Sequence, residues 1–358
     1  MEFVWYWVLG NSYLGKLMSH LFDPLKIRHL ELRNRVVFAP VVTNFGLRNE
    51  RTRKYYAERA RGGAGLIVVH GTPVDLFLNP GWAEKLRGLV EEVHDQGAAI
   101  AIQLWHGNDL NGQAVAPSAR GAFRAVTAEE IRTVTGKFAA AARVCRDVGF
   151  DGAEVHGAHG YFVHQFFSPL TNSRGDEYGG SVERRMRFAL ELVRAMRKAA
   201  GEKFLVLYRH SAFDGEPGGT AIEDSVSMAK AMQTHWLDVI DVSAGMGQKD
   251  SLSIPDASSP EGTHAGLAGA IKAAVSIPVI AVGRIQTPEA AGKILKDRKA
   301  DLIALGRQLL ADPHWPKKVQ EGREAEITFC TYCDTCTSEM RAGRPISCPQ
   351  NPELGSER

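Results

Sequence analysis

The sequence predicts one closed barrel of eight parallel strands with intervening helices, the (β/α)8 or TIM barrel, followed by a short cysteine-rich C-terminal extension. Eight short apolar runs recur along the 358 residues without clean polar alternation, which is typical of strands buried on both faces. Segments with helical spacing separate these runs, so strand and helix alternate in the order that builds such a barrel. A doubly wound open sheet is the rival fold, but no G-x-G-x-x-G turn follows the first strand.

The predicted elements follow one another regularly from residue 36 onwards. The eight strands are predicted at residues 36–40, 66–69, 99–104, 152–156, 204–209, 239–243, 278–282 and 302–305. Helices are predicted at residues 51–62, 81–96, 127–148, 181–200, 222–234, 265–274 and 288–296. Ser181 and Glu183 support the start of the fourth helix, because a hydroxyl cap and an early carboxylate favour a helix N-terminus.

Composition and the N-terminal residues exclude several classes of function. Lys and Arg total 43 against 41 Asp and Glu, so the charge balance shows no footprint for nucleic acid or a membrane surface. The apolar run at residues 3–9 is too short to span a bilayer, and Glu2 stands where a signal peptide carries a positive charge. We expect residues 1–17 to be an N-terminal extension, Met18 to be the natural start, and the protein to be cytoplasmic.

Chemistry-bearing side chains follow the fourth predicted strand. His156, His159 and Tyr161 lie at its carboxyl end, where a parallel barrel places its active site. Two imidazoles and a phenol can bind and protonate an electron-rich oxygen or carbon. They can equally be polar groups that satisfy a strand end, and spacing alone leaves both readings open. A long polar loop at residues 168–180 follows them, and loops of such length are usually functional.

A sequence signature surrounds these residues between Gly149 and Phe188. It reads D-G-x-E-x-H-x-A-H-G-Y, then Q-F-x-S-P-x-x-N-x-R-x-D-x-Y-G-G-S-x-E-x-R-x-R-F. The signature resembles that of the old yellow enzyme family of FMN-dependent oxidoreductases, most closely the branch holding 2,4-dienoyl-CoA reductase and trimethylamine dehydrogenase. The likeness runs from about Leu21 to the C-terminus. It implies an ene-reductase-like enzyme that uses NAD(P)H and FMN to reduce an activated alkene. His156 and His159 would then hold the activating carbonyl oxygen, and Tyr161 would protonate the α-carbon.

The resemblance also assigns flavin contacts to the ends of other strands. It implies that the turn Ala39, Pro40, Val41 and Val42 lies against the flavin ring, where Val42 departs from the family's usual Cys or Thr. Gln103 would read the pyrimidine edge, because an amide offers both a donor and an acceptor. Arg209 would lie near flavin N1 and the C2 carbonyl, where a cation stabilises the reduced anionic ring.

Two glycine–arginine pairs predict the phosphate site. Gly283-Arg284 and Gly306-Arg307 end the seventh and eighth predicted strands, whose loops commonly bind phosphate in this barrel. Glycine permits a close approach of the backbone, and arginine offers a bidentate fork. The two pairs together predict that FMN phosphate binds there.

Four of the five cysteines lie in the tail. Cys330, Cys333, Cys336 and Cys348 have spacings that suit zinc or a [4Fe–4S] cluster, and a tail without metal is the other reading. Cys145 is predicted to be a small buried core residue. We expect the barrel to span residues 18–325 and the tail residues 326–358.

Two other functions remain open from the sequence. The first is an amine or other C–H dehydrogenase that passes electrons through an iron–sulfur cluster, and the second is a flavin and iron–sulfur electron-transfer subunit with no substrate of its own. Partners are expected to be a small-molecule substrate, with a homo-oligomer or an electron-transfer partner left open, and no nucleic acid or membrane.

Overall fold

A computed structural model describes residues 20–247 and 251–358 of the chain. The predicted N-terminal extension, residues 1–17, lies outside the described residues. Within the described part, no helix has the length and apolar character needed to cross a membrane.

Eight parallel strands close into a barrel in chain order, which confirms the predicted fold. Each pairs with its neighbours in sequence, and the eighth pairs with the first. The strands are β1 Val36–Phe38, β2 Leu66–Pro73, β3 Ala99–Trp105, β4 Gly152–Gly157, β5 Leu205–Ser211, β6 Val239–Ser243, β7 Val279–Ala281 and β8 Leu302–Leu305. All eight overlap the predicted apolar runs, because strands enclosed on both faces need apolar residues at nearly every position.

Seven helices connect successive strands around the outside of the barrel. They are α1 Glu50–Arg61, α2 Arg87–Asp95, α3 Ala128–Val148, α4 Arg187–Ala200, α5 Ile222–Thr234, α6 Ala265–Lys272 and α7 Pro288–Lys296. Thr127 and Glu130 form a reciprocal capping box at the start of α3, and Gly149 ends that helix with φ 113°. These local signals explain why the helix begins and ends close to its predicted bounds.

Shorter helices fill the remaining connections. Phe162–Phe167 and Val182–Arg185 lie between β4 and α4, and Arg307–Ala311 and Trp315–Gln320 follow β8. Thr335–Arg341 lies in the tail, and single 3-10 turns cover Val74–Leu78, Ala83–Leu86 and Glu324–Glu326. The predicted fourth helix is therefore two helices, because the chain turns at Met186 between them.

Alternate residues of the strands face two separate cores. Val36 and Phe38 pack outward against the helices, whereas Val37 and Ala39 pack inside the barrel. The hairpin of Leu25–Ile27 and Leu30–Leu32 adds Ile27 and Leu32 to the inner core. It therefore closes the amino-terminal end of the barrel and leaves the carboxyl end available for a site.

Two small additions surround the carboxyl end. Asp109–Leu110, Gln113–Ala116 and Arg124–Ala125 form a three-stranded sheet in the connection after β3. The cysteine-rich tail packs back on the barrel, where Gln286 Nε2 donates to Cys330 O at 3.0 Å and Cys330 N donates to Gln308 Oε1 at 3.0 Å. The tail thus lies against the connections that follow β7 and β8.

Candidate active site

A cavity of 480 Å³ opens at the carboxyl end of the barrel. Its size falls in the range of small-molecule and cofactor sites. All thirteen side chains and glycines that the sequence assigned to catalysis or flavin binding line it: Ala39, Pro40, Val41, Val42, Gln103, His156, His159, Tyr161, Arg209, Gly283, Arg284, Gly306 and Arg307. The structure brings these residues together, while the role of each stays a prediction.

The period of two along each strand explains why polar residues reach this cavity. Leu205 and Leu207 of β5 belong to the inner core, so Arg209 points to the same side two residues later. The same parity directs Gln103 of β3, which follows Ala101, into the barrel. Interior side chains near the carboxyl ends of the strands therefore form the floor of the cavity.

His156, His159 and Tyr161 form one aromatic group on the cavity wall. The ring centres of His156 and Tyr161 are 4.6 Å apart, and those of His156 and His159 are 5.3 Å apart. Trp105 packs against Tyr161 with ring centres 5.5 Å apart. A phenol and two imidazoles thus lie within reach of one small ligand.

The turn after β4 holds His159 in a left-handed conformation, with φ 57°. Its backbone N–H donates to Ser211 Oγ at 3.0 Å, and its Nε2 lies 2.8 Å from Ser243 Oγ. A non-glycine residue in this region carries strain, so the contacts to β5 and β6 maintain the conformation. Ser243 already contacts one ring nitrogen of His159. By contrast, Nδ1 of His156 is buried without a hydrogen-bond partner in the described structure.

His164 also holds the turn that carries His159. The backbone N–H of Gly160 donates to His164 Nδ1 at 2.9 Å, so the other nitrogen, Nε2, carries the ring proton and faces Asp214 Oδ1 at 3.1 Å. Asp214 accepts hydrogen bonds from Ser168 Oγ at 2.6 Å and from Thr220 N at 2.8 Å. The neighbouring ring of His164 first, and then the hydrogen bonds from Ser168 and Thr220, lower the pKa of Asp214 to about 2 despite its burial.

Both active-site imidazoles are kept neutral. Burial first, and then the nearby positive charge of Arg209, hold the pKa of His156 and of His159 well below the usual value of 6.5. Neutral imidazole offers one N–H donor without a full positive charge. The pair can therefore bind a carbonyl or phenolate oxygen at neutral pH without itself being a strong acid.

Four buried polar residues lie at and beneath the floor of the cavity on four adjacent strands, and Gln103 and Arg209 are the two that line it. Gln103 Nε2 of β3 donates to Glu154 Oε2 of β4 at 2.7 Å. Arg209 Nη1 of β5 lies 3.3 Å from Asp241 Oδ2 of β6. Strand register pairs Gln103 with Glu154 and Arg209 with Asp241, so the contacts follow directly from the barrel's order.

Buried donors on the cavity wall fit a polar, anionic cofactor such as FMN. Nε of Arg209 and Nε of Arg284 are buried and have no hydrogen-bond partner in the described residues. Gly283 adopts φ 113°, and a Cβ there would lie 2.8 Å from Nδ1 of His264, so glycine is required at that strand end. The donors and the tight backbone suit a flavin with its phosphate at β7 and β8.

Arg307 lines the cavity and also contacts two other segments of the protein. Its Nη1 lies 3.3 Å from Asp334 Oδ1, and Nη2 donates to the carbonyl of Pro255. Its guanidinium also packs on the ring of Tyr332. Arg307 therefore ties the tail and the connection after β6 to the cavity, in addition to lining it.

The turn after β1 supplies an apolar wall. Ala39, Pro40, Val41 and Val42 line the cavity, whereas the neighbouring Thr43 is fully buried. The Thr43 hydroxyl accepts from Phe45 N at 3.3 Å, and its carbonyl accepts from Ile346 N at 3.0 Å. Thr43 thus serves the turn and the tail, and Val42 stands in the cavity without a hydrogen-bonding side chain.

The tail cysteines are neighbours of differing exposure. Cys330 is buried, Cys336 and Cys348 are half-buried and Cys333 is exposed. Burial raises the pKa of Cys330, and burial together with the charges of neighbouring cysteines raises that of Cys336 to about 11, against the lowering effect of Arg307. Their donor chemistry suits zinc or iron–sulfur. In the described ranges, however, no three His, Cys, Asp or Glu side chains are arranged to hold a metal ion. Cys145 is fully buried in the outer core, as predicted.

Several cavity residues escaped the sequence analysis. Trp105 could have been found, because it follows Gln103 by two positions and so shares its face. Tyr332 lies between Cys330 and Cys333 in the cysteine-rich tail, where no sequence pattern relates it to the cavity. His264 lies in the connection before α6, where no strand-end pattern marks it.

Comparison with protein families gives an independent match. Residues 20–326 match the model of the NADH:flavin oxidoreductase / NADH oxidase family. An NADH oxidase of Thermoanaerobacter brockii is 39% identical over 373 residues, covering 95% of this chain and 57% of that protein.

Solved structures agree with this match. A 2-naphthoyl-CoA reductase complex superposes with TM-score 0.89 at 27% identity, covering 95% of this chain and 58% of that one. Histamine dehydrogenase from Rhizobium sp. 4-9 superposes with TM-score 0.86 at 27% identity, covering 95% and 53%. The chain spans little more than half the length of these relatives.

Proposed function

Because the chain belongs to the NADH:flavin oxidoreductase / NADH oxidase family, we propose that it is an FMN-dependent oxidoreductase that reduces activated carbon–carbon double bonds with NAD(P)H. One observation carries the proposal: buried neutral donors and a phenol converge on a cavity whose floor and rim suit a flavin. We take residues 18–325 as the flavin-binding unit and residues 326–358 as its tail.

The cofactor would be held by the ends of four strands, β3, β5, β7 and β8. Gln103 would contact the pyrimidine edge of the ring, and Arg209 would lie beside N1 and the C2 carbonyl. Arg284 and Arg307, with Gly283 and Gly306, would bind the phosphate. Bound FMN would supply the hydride chemistry, and the protein supplies position and charge.

The substrate's carbonyl oxygen would be bound by the imidazole pair. His156 presents a buried Nδ1 without a partner in the described chain, and we assign it the direct contact. His159, held by Ser211 and Ser243, would complete the pair from its strained turn. Hydrogen bonds to this oxygen favour the alkene's β-carbon as hydride acceptor, because negative charge then develops on the oxygen.

Tyr161 would transfer the proton that completes the reduction. Its ring is fixed between Trp105 and His156, so its hydroxyl is carried at the cavity wall. Addition of one hydride to the β-carbon and one phenolic proton to the α-carbon gives the saturated product. NAD(P)H would be the source of that hydride through FMN and would be released as NAD(P)+ before the alkene is reduced, and the phenol would regain its proton from solvent.

A test separates the two half-reactions. Under anaerobic conditions, the flavin absorption of the purified protein should bleach with NAD(P)H and return when an enone or an enoyl thioester is added. In Tyr161→Phe, bleaching should be unchanged, while reoxidation by the alkene slows by about 10²–10⁴-fold, the usual contribution of a general acid. Full alkene turnover in that variant would remove Tyr161 from the proposed chemistry.

In a second candidate function, the same cavity would oxidise its substrate, and electrons would pass from the substrate to the flavin. Tyr332, Thr337 and Met340 of the tail line the cavity beside the flavin contacts, which favours an electron route through the tail. We propose that Cys330, Cys333, Cys336 and Cys348 hold a [4Fe–4S] cluster, with zinc or no metal as the alternatives. The chain would then be an amine or other C–H dehydrogenase, or an electron-transfer subunit. Bleaching of the flavin by an amine, and not by NAD(P)H, would favour this candidate.

A further inference from the structure

Two carboxyl groups face one arginine beneath the candidate flavin site. Glu154 and Asp241 are fully buried, and the only cation at their level in the described barrel interior is Arg209. Interior residues from the opposite side of the barrel are apolar, among them Val68, Ile280 and Ala304. If both carboxyls were ionised, this buried group would carry one uncompensated negative charge.

Hydrogen bonding shows which carboxyl lacks charge compensation. Asp241 lies 3.3 Å from Arg209, whereas Glu154 receives only the amide of Gln103 among the described hydrogen bonds. Oε1 of Glu154 and Oδ1 of Asp241 are both buried without a hydrogen-bond partner in the described structure. A proton on Glu154 would remove the one buried negative charge that has no cation in contact among the described residues.

We propose that Glu154 is a positioning residue that is protonated at neutral pH. In that state it accepts the N–H of Gln103, so that the amide oxygen of Gln103 faces the cavity, and it leaves Asp241 as the single counterion of Arg209. The flavin side of this proposal rests on the proposed function, whereas the shared proton can be tested without a cofactor.

Electrostatics support the same assignment. Burial first, and then the negative charge of Asp241, raise the pKa of Glu154 to about 8, against the lowering effects of Arg209 and Gln103. Burial also raises the pKa of Asp241, and Arg209 lowers it. These are the charged and polar groups that face Glu154 from β3, β5 and β6. Two like charges so placed retain one proton between them.

The contact with Glu154 determines which atom of Gln103 is available to a ligand in the cavity. Gln103 lines the cavity and its Nε2 is already used by Glu154, so its oxygen is the remaining group for a ligand. Oε1 also lies 3.2 Å from the position a Cβ would occupy at Gly71, so the strand-end glycine leaves the amide room. A cavity ligand that donates an N–H toward β3 therefore fits this orientation.

The first experiment uses the apoprotein. Glu154→Gln keeps an acceptor for Gln103 but cannot ionise. In the folded wild type, Glu154 keeps its proton up to about pH 8, whereas in the unfolded chain it loses that proton above the ordinary pKa of a glutamate. The stability of the wild type should therefore fall as the pH rises between these two pKa values. We expect the wild-type thermal midpoint to fall, relative to that of Glu154→Gln, between about pH 5 and 8. Parallel curves would overturn the shared proton.

The second experiment uses the FMN-loaded protein. The midpoint potential of wild type and Glu154→Gln should agree near pH 6.5, and the wild type should become more negative above about pH 8, when the floor gains a charge. In Asp241→Asn, this break should move to lower pH, because the like charge is gone. A break at the same pH in all three proteins would exclude Glu154 as its source.

A double-mutant cycle tests the positioning of Gln103. Glu154→Leu and Gln103→Leu should each raise the FMN dissociation constant by about three- to tenfold, and the double variant should be little worse than either. Additive losses would show that Glu154 does not act through Gln103. Should Glu154→Leu fail to fold, the two Glu154→Gln measurements still decide the protonation. If the wild type binds no FMN, the proposed function fails, while the apoprotein curves still test the proton.

Discussion

The guanidinium carbon of Arg307 lies 4.6 Å from the ring centre of Tyr332. Arg284 lies 4.7 Å from the same ring, so one tyrosine of the cysteine-rich tail contacts both arginines assigned to the phosphate. A guanidinium on an aromatic face is stabilised and held in one orientation. Tyr332 of the tail therefore holds both arginines on one side of the cavity.

The paired variant Arg284→Gln/Arg307→Gln should release FMN. Two charge-assisted hydrogen bonds are lost, at about 1.5–3 kcal/mol each, so the dissociation constant should rise by about 10²–10⁴-fold. Flavin content after purification and fluorescence titration with FMN measure this. Arg344→Gln is the matched control, because Arg344 is an exposed tail arginine paired only with Glu339 among the described contacts. Full flavin content in the double variant would place the phosphate elsewhere.

Part of this site could be predicted from sequence, because strand ends converge by the geometry of the barrel. His156, Gln103 and Arg209 each follow an apolar run, and parity along the strand then directs them inward. The contacts of Arg307 with Pro255 and Asp334 could not be predicted, because they join segments that no local pattern relates.

The pairing of Glu154 with Asp241 could not be predicted from the sequence either. Glu154 appears in the sequence as one letter of a signature, and its distance from Asp241 depends on closure of strands 87 residues apart in the chain (241 − 154). Only the register of β3 to β6 brings Gln103, Glu154, Arg209 and Asp241 to one level. Burial of their charges is likewise a property of the closed barrel.

The histidine pair should bind phenols as phenolates. Two neutral donors directed at one oxygen favour its charged form, and Arg209 adds positive charge nearby. Titration of FMN-loaded protein with a para-substituted phenol should therefore give a long-wavelength charge-transfer band. The band should be lost in His156→Ala/His159→Ala and kept in His94→Ala, since His94 is a partly exposed histidine of α2 paired with Asp151. An equal band in the double variant would remove the pair from the site.

Acid should destabilise the protein through His156, His159 and His210. The pKa of His156 and of His159 lies well below 6.5 in the folded chain, and that of His210 is lowered to about 3, chiefly by burial. Below about pH 6.5 these histidines bind protons in the unfolded chain but stay neutral in the folded chain. Their contribution to stability is therefore present above about pH 6.5 and is lost as the pH falls below it. Urea unfolding of the wild type between pH 7 and 5 should show the loss, and His156→Asn should show a shallower dependence. Equal slopes would mean that His156 is not held neutral.

Arg209→Gln should destabilise the protein and impair flavin reduction together. Its removal leaves Asp241 buried without its cation, which costs about 3–5 kcal/mol for a broken buried pair. Arg209→Gln/Asp241→Asn should recover much of that stability, because no unpaired charge remains. The midpoint potential of bound FMN should stay lowered in both variants if Arg209 stabilises the reduced ring. A wild-type potential in the double variant would make Arg209 purely structural.

The tail cysteines should bind iron independently of the flavin. If they hold a [4Fe–4S] cluster, anaerobically purified protein should contain about four iron and four sulfide per chain. Cys333→Ser should lose the iron and keep FMN, because the flavin contacts come from strand ends of the barrel. Cys145→Ala should keep both, because Cys145 lies in the outer core on α3.

The three metal outcomes separate the candidate functions. Four thiols within residues 330–348 close only short loops, so a metal can draw them together at small entropic cost. Iron with sulfide would support an electron route beside Tyr332, which already lies between the cysteines and the arginines of the cavity. Zinc would order the tail but remove that route, since zinc has no redox chemistry. Absence of metal from the anaerobic protein would leave the tail as a packing element and the alkene reductase as the remaining function.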